Sequence, residues 1–509
     1  MTMREKFEST VGKALEGGSE KYRRKLAEQH KHPVRTRLQL LLDPDSFVEN
    51  GLLARNADAD LVTDAIVTGS GTIADRPVCV IANDPTIKAG AWGRQTIRKI
   101  TRQQEMAEAA QCPLIYLVDS AGARLNEQFQ IFIDRQHAGR IFWNQSRLSG
   151  QIPQICILFG PSPAGAAYIP AFCDLVIMVE GHASAFLGSP RMVKMATGEE
   201  ATAESMGGAR MHCTVSGLGD YLAVDEADAL QTAARYLSYL PQNWRAASAA
   251  ADVHQPAPGE DLWGVIPASH TRAYDMRKVI TGVFDEGSLA EVKQLFAPEL
   301  ICTFARIDGH AVGVVANQPI QKAGTLNGDS SDKGAHFVQL CDAYGLPLIF
   351  LCDTPGFMVG TEVERTGIIR RGAKYLATIA ACSVPRICVV IRKAYGAGYF
   401  AMSGGGFQPD AILALPHARM GIMGPEAAIN AIHFNRLEAI ADESTKAAEV
   451  QRLRDEYTED LNVYRAASEF FVDSVVAPTS LRHELVSRLR LLRTKARNDV
   501  KRHHPVIRG

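Results

Sequence analysis

The sequence predicts an α/β protein built as two tandem domains related by internal duplication, and three observations carry that prediction. Asn83-Asp84-Pro85-Thr86-Ile87-Lys88-Ala89-Gly90 returns 234 positions later as Asn317-Gln318-Pro319-Ile320-Gln321-Lys322-Ala323-Gly324. Short Val/Ile/Leu-rich runs alternate with long helical patterns in both halves, the signature of buried strands joined by crossover helices. A chain of 509 residues also exceeds one ordinary core, whereas two units of roughly 200 to 250 residues are common.

The elements follow in order. Residues 1–30, with Glu5, Glu8, Glu16 and Glu20 interspersed, read as an amphipathic helical arm without the apolar core of a secretion signal. Strands are expected at 78–81, 114–118 and 155–159, with a helix over 94–111. The apolar stretch 153–179 has the length of a membrane helix, but Gly160, Pro161, Pro163, Gly165, Pro170 and Asp174 interrupt it. A strand, a turn and a short helix fit it better. Pro, Ala, Asn and Gln enrich 241–267, which reads as a linker between domains 1–240 and 268–509. The second half repeats the scheme: strands at 312–315, 348–352 and 387–391, and a helix over 334–344 stopped by Gly345-Leu346-Pro347. Residues 481–500 read as a final amphipathic helix.

The repeat reaches beyond its strongest segment. Leu42-Asp43-Pro44-Asp45-Ser46-Phe47 answers Phe284-Asp285-Glu286-Gly287-Ser288-Leu289, and Asp119 answers Asp353. Ile152-Pro153 matches Val384-Pro385 at a shift of 232, and Ala164-Gly165 matches Ala397-Gly398 at 233.

Hydrophobic content of 46% with 22% charge is that of a soluble globular protein, and a net charge of −1 gives no general attraction to nucleic acid or an anionic membrane. The ten cysteines contain no Cys-x-x-Cys pair and fall mostly in strand-like runs, as buried free thiols of a cytoplasmic protein would. His30, His32, His503 and His504 have no Cys or carboxylate at metal-ligand spacing, so no metal is expected. The basic run Arg488, Arg490, Arg493, Lys495, Arg497, Lys501 and Arg502 suits a solvated helix face, and docking of a partner or of ligand phosphates is the other reading.

The chemistry is best sought where each half passes from a buried strand into small residues: Gly160 to Tyr168, and Tyr395-Gly396-Ala397-Gly398-Tyr399. Small residues let a ligand approach the main chain, and the first N–H groups of a helix have no partner within it. Such donors can hold an oxyanion, each contributing about 3 to 4 kcal/mol when charge develops on a carbonyl oxygen. The same turns also serve plain close packing, and both readings stand at this point.

Several motifs, in this order, resemble the carboxyltransferase (β) subunit of biotin-dependent acyl-CoA carboxylases, the propionyl-CoA, acetyl-CoA and 3-methylcrotonyl-CoA carboxylase group. They are Asp119-Ser120-Ala121-Gly122-Ala123-Arg124, Gly139-Arg140-Ile141-Phe142-Trp143-Asn144-Gln145, Phe186-Leu187-Gly188-Ser189-Pro190, Asp353-Thr354-Pro355-Gly356-Phe357, Arg370-Arg371-Gly372 and Arg392-Lys393-Ala394-Tyr395-Gly396. The resemblance runs from about Leu38 to the end. It implies a crotonase-like (ClpP/crotonase) fold in each half and a homohexamer, a trimer of dimers. It also implies a biotin carboxylase or biotin carboxyl carrier partner that carries biotin covalently. Acyl-CoA would bind the first half, with Ala164 and Gly165 at the enolate oxygen. Biotin would meet the second half, with Ala397 and Gly398 at its ureido oxygen. Gly122, Ala123, Arg124, Tyr168 and Phe400 are then substrate-binding residues. Transfer of CO2 from carboxybiotin to the α or vinylogous γ carbon of the thioester, through enolates, would need no His/Asp or Cys/His pair, and none is evident.

The chain departs from the family's usual pattern at Ser162, Pro163 and Ala164, where Cys-Ala followed by Gly is common, and at Phe400, where propionyl-type relatives carry Asp. The acyl group is thus open. So are the reverse transfer of an acyl-CoA decarboxylase, a biotin-independent crotonase-type hydratase or isomerase, and a non-catalytic paralogue that only assembles with an active subunit.

Overall fold

The computed structural model describes residues 1–55, 61–257, 261–493 and 495. The chain divides into two units, Met1–Ala249 and Ala250–Val500.

In the first unit the strands are β1 (Val48–Asn50), β2 (Ile66–Ile73), β3 (Arg76–Asn83), β4 (Leu114–Val118), β5 (Gln154–Leu158), β6 (Pro161–Pro163), β7 (Leu175–Val179), β8 (Ser184–Phe186) and β9 (Tyr221–Ala223). Seven form one sheet in the order β1-β2-β3-β4-β5-β7-β9, while β6 and β8 pair separately. The β2–β3 hairpin is antiparallel, and every pairing from β3 to β9 is parallel. Parallel neighbours require crossovers, and the helix Arg94–Ala110 makes the one from β3 to β4. Its Ile97, Ile100 and Ala107 pack with Leu114, Tyr116, Cys156, Leu158, Val176 and Met178. Covered on both faces, β4, β5 and β7 are buried at every position, which explains their unbroken apolar sequences.

The second unit contains β10 (Ala290–Val292), β11 (Leu300–Ile307), β12 (His310–Asn317), β13 (Leu348–Thr354), β14 (Arg386–Tyr395), β15 (Ala411–Ala414), β16 (Arg419–Gly421) and β17 (Ser474–Val475). The order β10-β11-β12-β13-β14-β15-β17 repeats that of the first sheet, and β16 adds to the end of β14. The strand directions repeat as well. Helices Met276–Val283 and Leu481–Leu492 cover one face through Val279, Ile280, Val283, Leu481, Leu485 and Leu489 against Ile349, Leu351, Ile387 and Val389.

The segment expected as a linker, 241–267, belongs in part to each unit. Gln242 donates to the Pro77 carbonyl at 2.7 Å and Asn243 to that of Gln111 at 3.0 Å. Leu262, Val265 and Ile266 enter the second core. The N-terminal arm is two helices, Met3–Glu16 and Glu20–Glu28. All ten cysteines are buried and free. Among the described residues no helix is long and apolar enough to cross a membrane.

The opening repeat corresponds to an unusual piece of backbone. Lys88, Ala89 and Gly90 are all left-handed (φ 47°, 52° and 69°), as are Lys322, Ala323 and Gly324 (φ 45°, 56° and 75°). Asn83 and Asn317 cap the two turns by donating to the carbonyls of Gly90 and Gly324 at 3.0 and 3.2 Å. A Cβ at Gly90 would stand 2.1 Å from the Asp119 carbonyl oxygen, and one at Gly324 2.6 Å from that of Asp353. The close approach, beside the positive φ, makes glycine necessary there.

Nine residues past each turn lies a buried lysine. Lys99 donates to the Ile66 carbonyl at 2.5 Å, and Lys333 to those of Lys293, Phe296 and Ala297 at 2.8, 2.9 and 3.3 Å. Burial pushes both ammonium groups down from the usual lysine range.

Candidate functional site

The two small-residue turns leave their sheets at equivalent places. In the first unit β5 leads through Gly160 and β6 into a short 3-10 turn, Ala164–Ala167, and then the helix Tyr168–Phe172. In the second, β14 runs directly into the helix Gly396–Ala401. Pro163 and Tyr395 are both extended at the entry. The next residues, Ala164 and Gly396, share a φ of 54°. Along both turns an exposed residue, Gly165 or Ala397, precedes a buried one, Ala166 or Gly398. The backbone therefore pairs the turns at a shift of 232, one less than the sequence match of Ala164-Gly165 with Ala397-Gly398 suggested. Ala and Gly alternate at these positions, so residue identity and backbone angle pair the turns one position apart.

The surroundings differ in how tightly they close. A Cβ on Gly165 would meet only Phe142 Cζ, at 3.9 Å, whereas one on Gly398 would lie 2.7 Å from the Cα of Gly356. Gly165 is open space beside an aromatic ring. Gly398 is a packing contact between the turn and the loop after β13.

Each turn stands beside a loop that follows the neighbouring strand. After β4, Gly122 lies near the turn, its Cβ position 3.4 Å from Pro163 Cγ. Ala123 is exposed and bridges Trp92, whose N–H donates to the Gly122 carbonyl at 2.7 Å. Arg124 turns inward. It is 8% exposed and reaches Asp64 Oδ1 at 3.4 Å and Glu127 Oε1 at 3.3 Å, so among the expected binding residues it acts as a buried brace of the loop. In the second unit Gly356 and Phe357 repeat the arrangement against Leu326.

A buried ionic cluster fixes the strand end beneath each loop. Asp119 accepts from Lys31 at 2.6 Å and Arg37 at 3.3 Å, and Arg37 also pairs with Glu226 at 2.6 Å. Asp353 accepts from Arg392 Nε at 2.8 Å and the Tyr274 hydroxyl at 2.9 Å, with Lys393 at 3.5 Å. Burial, then the Asp353 charge, pushes the Tyr274 hydroxyl up, so it stays a proton donor. The first cluster balances two cations with two carboxylates, whereas in the second Arg392 and Lys393 share the one carboxylate of Asp353.

Aromatic rings adjoin both turns. Tyr168 and Phe172 project from the helix after the first turn, each 6.0 Å from Phe142 between ring centroids, and Trp92 stands 6.4 Å from Phe142. Phe400, two-fifths exposed, lies 5.7 Å from Phe407 and 6.2 Å from Tyr399. The sequence reading named Tyr168 and Phe400 but not Phe172 or Phe407. The spacing of Tyr168 and Phe172 at i and i+4 on a helix following a glycine turn was the available signal.

Three members of the basic C-terminal run are paired: Arg488 with Glu484, Arg490 with Asp308 at 2.9 Å, and Lys495 with Asp410. Arg497, Lys501, Arg502, His503 and His504 lie outside the described residues. Among the described residues no group of three His, Cys, Asp or Glu side chains could hold a metal.

Comparison with known proteins accords with this geometry. The carboxyl transferase domain model matches residues 27–507. An uncharacterized carboxylase of Bacillus subtilis, YngE, is 51% identical over 494 residues, covering 96% of each chain. The propionyl-CoA carboxylase beta chain of Saccharopolyspora erythraea is 40% identical over 504 residues, covering 95% of this chain and 91% of that one. The crystal structure of transcarboxylase 12S, a hexamer with methylmalonyl-coenzyme A and methylmalonic acid bound, superposes with a TM-score of 0.91 at 35% identity, covering 98% of this chain and 97% of that one. With a match along nearly its whole length, the chain belongs to the carboxyl transferase domain family.

Proposed function

We propose that this chain is the carboxyltransferase component of a biotin-dependent acyl-CoA carboxylase, acting in the cytoplasm. Its first unit, Met1–Ala249, binds the acyl-CoA and its second, Ala250–Val500, receives biotin. The observation that carries this reading is the twice-built strand–turn–helix, with the same φ of 54° at Ala164 and Gly396 and small residues where side-chain acids or bases would otherwise stand. Carboxybiotin, held covalently by a biotin carboxylase or carrier partner, supplies the CO2. The chain's own contribution is orientation and charge stabilisation. Backbone N–H groups at Ala164 and Gly165 hold the thioester oxygen as the α-proton leaves, and fixed donors of this kind are worth about 3 to 4 kcal/mol each. The methyl group of Ala164 leaves its N–H in place.

The second turn fits an uncharged ureido oxygen that gains negative charge. Ala397 is exposed, and Asp353 faces both Arg392 and Lys393, so the amide donors at Ala397 and Gly398 act beside a net positive charge that favours the same oxyanion. A homohexamer built as a trimer of dimers is the proposed assembly, by likeness to transcarboxylase 12S.

The test is purification with a biotinylated partner, followed by ATP- and bicarbonate-dependent carboxylation of an acyl-CoA panel. Labelled acyl-CoA product is expected. A demonstrably carboxylated partner that yields no product with any acyl-CoA would sink the reading.

A further inference from the structure

We infer that Phe142, Tyr168 and Phe172 form the specificity-determining wall for the acyl chain, and that it selects an apolar chain longer than propionyl. This rests on the acyl-CoA reading above and adds the substrate class. Among the described residues, Phe142 Cζ, at 3.9 Å, is what a Cβ at Gly165 would meet outside its chain neighbours, so a thioester at this turn can lay its chain against that ring. Tyr168 and Phe172 carry the surface onward while remaining 45% and 36% exposed. Phe172 stacks within 26° of the Phe142 plane, and Tyr168 stands at 68° to it. Exposed aromatic faces beside a turn of small residues are surface that an apolar chain can cover.

The rings are held rather than loosely displayed. Phe142 lies on the helix Gly139–Leu148, whose Asn144 donates to Gln104 Oε1 at 3.0 Å. Gln145 on the same helix donates to the Ile169 carbonyl at 3.0 Å, tying it to the helix that bears Tyr168 and Phe172. Gln154 of β5 donates to the Gln145 carbonyl at 2.9 Å. This buried amide chain accounts for the Asn144-Gln145 motif, which the proposed chemistry leaves without a role. A wall so braced cannot collapse to fill itself.

Length follows from the spacing of the rings. The centroids of Tyr168 and Phe172 each lie 6.0 Å from that of Phe142, which at about 1.3 Å of advance per carbon–carbon bond takes roughly five bonds to span. A propionyl chain covers one ring, whereas a medium-length straight or branched chain covers two.

The test is isothermal titration of the full chain with CoA and its S-ethyl, S-propyl, S-butyl, S-hexyl and S-octyl thioethers, beside the variants Tyr168→Ala, Phe172→Ala and Phe172→Leu. In the wild type Kd tightens about two- to four-fold per methylene from propyl to hexyl. Both alanine variants flatten that slope, and Phe172→Leu retains most of it. CoA binding with no dependence on chain length, or an unchanged slope in the alanine variants, overturns the wall and leaves the acyl-CoA reading standing. Failure of CoA and every thioether to bind overturns both.

Discussion

Ala164→Gly should stabilise the protein, against the ordinary direction of such a change. Ala164 sits at φ 54° in an exposed position, where its counterpart in the second unit is Gly396 at the same angle. A left-handed L-residue costs about 1–2 kcal/mol. Glycine removes that strain but gives the unfolded chain extra freedom, about 0.4–1 kcal/mol. Because the methyl group is exposed, little packing is lost, and the balance is a gain of about 0.5–1 kcal/mol. In a unit of this size that raises Tm by about 1–4 °C. Ala167, three residues on, is helical at φ −62°, so Ala167→Gly is the control and should lose about 0.5–1 kcal/mol. Thermal unfolding, with hydrogen exchange read over residues 164–172, measures both. If Ala164→Gly loses stability as Ala167→Gly does, the left-handed strain at this turn is absent and the pairing with Gly396 falls with it.

Gly90→Ala combines a positive φ with a methyl group 2.1 Å from the Asp119 carbonyl, and should cost about 3 kcal/mol or more, seen as loss of soluble folded protein. Gly165→Val should keep Tm within about 1 °C and lower turnover about 100-fold, since its Cβ meets nothing closer than 3.9 Å. Equal turnover would remove the first anion hole. Gly398→Val is the poorer probe, because its Cβ presses on Gly356 at 2.7 Å and a fall of about 2 kcal/mol in stability accompanies any loss of activity. Burial, followed by the charges of Arg419 and Arg392, pushes His270 down to about 4. The unfolded chain therefore takes up its proton first as pH falls, and stability present above about pH 6.5 is lost down to about pH 4, by about 2 kcal/mol after allowance for partial exposure. Urea midpoints across that range should slope less in His270→Gln; the same slope in the variant would put the effect elsewhere.

The apolar runs of β4, β5, β13 and β14 were legible because burial on both faces leaves no room for polar residues. β2 was not: Ile66–Ile73 carries Thr68, Gly69, Ser70, Gly71 and Thr72, a composition that reads as loop, and antiparallel pairing with β1 and β3 makes it a strand. The helix expected at 334–344 begins six residues earlier, at Gly328, where Asn327 and Ser330 form a reciprocal cap. The turns were found from their small residues, but their register needed φ. Arg124 looked like a ligand group because its loop is part of a motif, yet its charge is met inside the protein by Asp64 and Glu127. Nothing in spacing tells a buried brace from a binding residue when the partner is sixty positions away.

The matched lysines give the two halves a shared clock. Acyl thioesters modify exposed amines without an enzyme. Lys99 and Lys333 are shielded in the folded chain, 8% and 1% exposed, so either can be acylated only when its own sheet and helix part. The rate at which each acquires the label, read by mass spectrometry on a single sample, therefore reports how often that half opens. Because the two sites occupy equivalent places in the same architecture, their ratio compares the breathing of the two copies directly.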